Sequence, residues 1–126
     1  MKRTLGLTLL LFATLFSCMR QEKPLPAELS RAESVMWEHP DSALSILRSM
    51  PQSSLSIGKN YATWALLLAQ ARDKVYGKRL PDSLNIPSSD KLVQDAMDYF
   101  EKEGDLKRMA QTYYYKGQLL KDQKKI

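Results

Sequence analysis

Residues 60–76 read Asn-Tyr-Ala-Thr-Trp-Ala-Leu-Leu-Leu-Ala-Gln-Ala-Arg-Asp-Lys-Val-Tyr, with no proline or glycine inside. Tyr61, Trp64, Ala65, Leu68, Ala71 and Val75 recur at the i, i+3, i+4, i+7 spacing of one helix face. Ala62, Leu66 and Ala69 form a second stripe beside it, and Leu67 widens the band. A helix apolar over most of its girth has to be covered on more than one side. The run is too short, and too polar at its ends, to span a bilayer, which takes roughly 20 apolar residues. It is expected as an inner helix sandwiched between others.

The flanking segments carry narrower apolar faces. Residues 27–38 put Leu29, Ala32, Val35 and Met36 on one side, with Trp37 near the end and Pro40 as the stop. Asp41 is placed to cap a helix over 42–50, whose apolar set is Ala43, Leu44, Ile46, Leu47 and Met50; Pro51 ends it. Leu55 and Ile57 can pack inward from the next turn, and Gly77 closes the central helix as its left-handed C′ residue. Beyond a longer loop over 78–89, Ser88 or Ser89 caps a helix to Glu103 that buries Leu92, Val93, Ala96, Met97 and Phe100. Gly104 ends that helix and Asp105 caps the last one. The last helix, from Leu106, is expected to bury Met109, Ala110, Tyr113, Tyr114, Gly117 and Leu120. No strand pattern competes, so the predicted fold class is all-α, in antiparallel hairpins joined by short turns.

The leading segment has a different character. Lys2 and Arg3 precede an almost unbroken apolar run over 5–16, which is the anatomy of a secretory signal. Leu15-Phe16-Ser17-Cys18 resembles the lipobox of bacterial lipoproteins, with Phe16 where the pattern carries a smaller residue. The resemblance implies cleavage between Ser17 and Cys18, a thioether lipid on Cys18 and acylation of the new amino terminus. The alternatives are an ordinary cleaved signal that leaves a free cysteine, an uncleaved membrane anchor, for which the run is short, and a buried core helix, which would leave Lys2-Arg3 and the cysteine stop as coincidences. The expected layout is a signal peptide over 1–17, a lipidated cysteine and proline-containing tether over 18–26, and a helical domain over 27–126.

Composition narrows the chemistry. The formal charge is +5, of which Lys2 and Arg3 supply two, leaving +3, too little to argue for nucleic acid. One cysteine and one histidine, His39, exclude an internal disulfide and a zinc site built on clusters of these residues. His39 precedes a proline and has no ligand-spaced companion, so a surface or capping role is expected. No Gly-x-Ser-x-Gly, Ser-x-x-Lys or glycine-rich phosphate loop is present, so neither an enzyme nor a cofactor is expected. Asp95, Asp98 and Glu101 share an outer helix face and read as solvated. Lys74, Lys78 and Arg79 sit at a helix C-terminus, where the dipole favours cations. Within Tyr113-Tyr114-Tyr115, consecutive helical positions diverge, so Tyr113 and Tyr114 are expected in the core and Tyr115 toward a groove or solvent.

A repeat grammar links two segments, Asp41-Ser42-Ala43-Leu44-Ser45-Ile46-Leu47 and Asp95-Ala96-Met97-Asp98-Tyr99-Phe100. Ala96-x-x-x-Phe100, the turn Gly104-Asp105, and Tyr113-x-x-x-Gly117-x-x-Leu120 together resemble a tetratricopeptide unit entered at its second helix. With the lipobox, the chain resembles lipid-anchored tetratricopeptide-type proteins of Gram-negative bacteria over roughly 27–121. The resemblance implies a short helical solenoid and a concave groove that binds a protein or peptide, with Tyr115, Gln118 and Gln111 as groove candidates and Gly117 allowing close helix approach. It implies a membrane partner through the lipid; Met19-Arg20-Gln21 lacks the acidic residues that follow the cysteine in some surface-exported lipoproteins, so the periplasmic face of the outer membrane is favoured. The alternative is an N-terminal sensor fragment of a longer membrane-associated regulator. The apolar face expected on the last helix carries no polar cap, which points to a truncated product or to completion by another protein.

Overall fold

The computed structural model describes residues 25–51, 55, 58–77 and 88–123. Regular structure among them is entirely α-helical: α1 (Ala27–Val35), α2 (Pro40–Ser49), α3 (Lys59–Tyr76), α4 (Ser89–Glu103) and α5 (Leu106–Gln123). The signal segment, Ser17, Cys18, most of the tether, Ile57, Lys78 and Arg79 lie outside the described residues.

The central helix is buried along the whole span from Ala62 to Arg72, and it packs on all four other helices. By contrast, the backbones of α1 and α2 do not approach those of α4 or α5. The two hairpins therefore pack together through α3, with the Glu33–Arg108 side-chain pair bridging them directly. The core runs from Leu29, Ala32 and Met36 through Leu47, Leu66, Leu67 and Leu68 to Leu92, Val93 and Phe100. Leu55 joins it, as its apolar character predicts.

Prolines set two boundaries differently from the expectation. The first helix stops at Val35, and residues 36–38 form a turn. Pro40 opens α2 rather than closing α1, because a proline at the first helical position gives up only an N–H that has no helical partner. The N-cap is therefore His39, exposed and without a side-chain cap bond, and Asp41 falls inside the first turn. At the other end Pro51 pushes Met50 into extended geometry (φ −71°, ψ 125°). Pro51 also lacks the N–H that a continuing helix would give to the Leu47 carbonyl. The Trp64 indole Nε1 donates to that carbonyl instead, at 2.9 Å within the core. One side chain of α3 thus satisfies the frayed end of α2.

The remaining caps follow their residues. The Ser88 hydroxyl accepts from the Lys91 amide at 3.3 Å. Gly104 is left-handed (φ 73°, ψ 26°), its N–H reaching the Glu101 carbonyl while the Asp105 N–H reaches Phe100, the paired bonds of a Schellman end. Asp105 then caps α5 through the Arg108 amide at 3.1 Å. Gly77 does have positive φ (56°), but its ψ of −126° is not the left-handed helical value expected of it.

The last helix contradicts the expectation most directly. Arg108, Thr112 and Tyr115 are its buried residues; Met109 and Leu119 are half-buried, while Ala110, Tyr113, Tyr114, Gly117 and Leu120 are exposed. Tyr115 is 7% exposed, against 51% for Tyr113 and 59% for Tyr114, which reverses the expected order. Gly117 meets no neighbouring helix: a Cβ placed there would touch nothing within 4 Å. Met97 is likewise only half-buried.

Trp64→Phe keeps the ring but strands the Leu47 carbonyl. It should lower unfolding free energy by about 1–3 kcal/mol in denaturant titration, with α2 fraying first by hydrogen exchange.

Candidate functional site

Helices α1, α3 and α5 run the same way, since each is separated from the next by one antiparallel partner. Between them lies a groove of about 390 Å³ lined by Trp37, Gln70, Asp73, Lys74, Ala110, Gln111, Tyr114 and Tyr115. This is within the size range of small recognition clefts. α3 supplies the floor, and the turn after α1 and the flank of α5 supply the walls.

Trp37, largely exposed, holds one wall with its ring under the Lys74 ammonium, 3.4 Å from the ring centre. A cation over an indole face is a favourable electrostatic contact. Lys74 is therefore positioned by Trp37 as well as by the helix end. On the other wall Tyr114 and Tyr115 meet edge to face, with ring centres 5.0 Å apart. Burial first, then the Asp73 and Tyr114 charges, push the Tyr115 phenol up to about 12; Gln70 bonding to it works the other way. The phenol is thus a neutral, fixed element of the groove wall.

Across the groove runs a clasp between helices that do not otherwise touch. The Arg108 guanidinium grips both oxygens of Glu33, at 2.5 and 3.2 Å, and donates to the Gln111 side-chain oxygen at 3.1 Å. Two-pronged pairing of this kind fixes orientation as well as distance.

Of the residues expected at a groove, Gln111 and Tyr115 are on the lining. Gln118 lies one turn beyond Tyr114 and donates to its hydroxyl at 2.8 Å; it holds a lining ring rather than lining the groove itself. The acidic trio is not merely solvated. Asp95 accepts from Tyr61 at 2.9 Å and from Lys91 at 3.0 Å, which ties α4 to α3, and burial raises the Tyr61 pKa with this bond adding to it. Asp98 accepts from Gln94, and Glu101 accepts from the Tyr113 hydroxyl. Trp37 and the Glu33–Arg108 clasp were not anticipated. The clasp joins residues 75 positions apart, for which no local pattern exists.

Among the described residues, no group of three or more His, Cys, Asp or Glu side chains is placed to hold a metal ion. No described helix is long and apolar enough to cross a membrane. Comparison with protein-family models, curated proteins and solved structures finds no match to this chain.

A double-mutant cycle on Glu33→Gln and Arg108→Met should give a coupling energy of about 1–3 kcal/mol, because the pair is charge-assisted and Arg108 is buried. The phenol makes a second prediction. Its folded pKa lies above the unfolded value of about 10, so its stabilising contribution is whole below pH 10 and is lost as pH rises toward 12. An absorbance titration should show a late phenolate step that is absent from Tyr115→Phe. The wild-type chain should also lose stability relative to that variant between those pH values.

Proposed function

We propose that the chain is a non-enzymatic, lipid-anchored scaffold of the tetratricopeptide type at a bacterial cell-envelope membrane, the periplasmic face of the outer membrane favoured. A protein or peptide partner binds in the groove between α1, α3 and α5. The observation that carries this reading is the groove itself, where exposed rings (Trp37, Tyr114) stand beside the Gln111 carboxamide. Rings accept apolar side chains, and carboxamides match the donor and acceptor pairs of a peptide backbone. The clasp holds the walls at fixed separation, which lowers the ordering cost of binding. The anchor rests on the sequence: Lys2-Arg3, the apolar run and Leu15-Phe16-Ser17-Cys18. Several acyl chains, each contributing about 0.8 kcal/mol per buried methylene, hold a chain at a membrane where one alone is marginal.

Cells fed radioactive palmitate should label the chain, and Cys18→Ala should abolish the label; label that survives the substitution removes the anchor. Independently, a partner recovered from native membranes should be lost with Tyr114→Ala and retained with the distant, exposed Glu28→Ala.

A further inference from the structure

The outer face of α5 carries a regular apolar stripe. Leu106, Ala110, Tyr113, Gly117 and Leu120 follow a 4-3-4-3 spacing, the 3.5-residue period of a coiled-coil seam. All five are exposed, Leu106 at 78% and Leu120 at 47%. The stripe alternates in size. Leu106, Tyr113 and Leu120 stand seven apart as knobs, and Ala110 and Gly117, also seven apart, leave holes between them. The hole at Gly117 opens on empty space.

An extended strand or a flat surface would not use a 3.5-residue period of alternating knobs and holes; a second helix does, by inserting bulky side chains opposite the small positions. The charges beside the seam select which helix. Exposed lysines, Lys107 and Lys121, flank Leu106 and Leu120 at the two ends of the stripe; Lys116, beside Gly117, is half-buried and bonds Gln94 of α4, and the Tyr113 hydroxyl donates to Glu101. In helix pairs these flanking positions set partner choice by charge, so a second copy would bring lysines against lysines.

We infer that the outer face of α5 docks an amphipathic helix of a partner protein, with large apolar residues at its seam and glutamate or aspartate on the flanks. This face adjoins the groove, sharing Ala110 with its rim, and the inference does not depend on the lipid anchor or on what the groove binds.

The test uses the purified full-length chain and two synthetic helical peptides of about 18 residues, each with leucine at the seam positions. One carries glutamate at the flanking positions, the other lysine. Fluorescence anisotropy should show the glutamate peptide binding at least tenfold more tightly, with affinity falling as salt rises. Lys107→Glu combined with Lys121→Glu should reverse the preference. Gly117→Leu fills the hole without meeting any neighbour, so the chain should fold normally, as judged by circular dichroism, yet lose the glutamate peptide by tenfold or more. Equal affinity for both peptides, no binding of the glutamate peptide, or binding indifferent to Gly117→Leu would overturn the proposal. So would sedimentation showing a dimer that Tyr113→Glu dissolves, which would assign the face to a second copy. Vesicles of phosphatidylethanolamine and phosphatidylglycerol that lose the chain on Tyr113→Glu would assign it to the bilayer instead.

Discussion

A helix with no polar side has no stable position at a surface, and the rest of the molecule is arranged to satisfy that constraint on α3. Every residue from Ala62 to Arg72 is buried, including Thr63, Gln70 and Arg72. The polar ones are accommodated individually. Thr63 turns its hydroxyl back to the Lys59 carbonyl at 2.7 Å, and Gln70 meets the Tyr115 phenol. Arg72 stays buried at a depressed pKa, owing to burial and then to the like charge of Arg48. Four helices surround α3 because fewer would leave part of its circumference in water.

This arrangement also explains why the two hairpins act as one body. Their backbones do not approach one another, so α3 is both core and main connection. Trp64 shows how closely the two roles are joined: the ring fills the core while its N–H completes the end of a neighbouring helix. The Glu33–Arg108 pair adds a bond between the outermost helices of the groove, reaching across α3 rather than through it. Together they hold the groove as a preformed concavity.

The last helix departs from the rule that apolar residues go inside. Its buried side carries an arginine and a threonine, each with a specific partner: Glu33 for Arg108 and the Met109 carbonyl for Thr112. Burial of polar groups is tolerated when their bonds are made. Its apolar stripe is consequently turned outward. The pattern along α5 was legible in the chain, but its direction was not. Two faces of comparable quality, one of them half polar, compete for the same core, and the choice depends on what α3 and α4 present to them.

The chain by itself determined the helices and most of their ends, because period, proline geometry and the Gly104-Asp105 turn act within a few residues. It also determined that α3 would be enclosed, since no rotation of that helix hides all its apolar residues on one side. Pro40 can stop one helix or start the next, and it starts α2, where its missing N–H costs no helical bond. Only the tertiary structure decided which face of α5 turned inward, that Trp37 and Lys74 would share a wall, and that Glu33 would meet Arg108. Those outcomes depend on distances between side chains far apart in sequence, and no local preference encodes such distances.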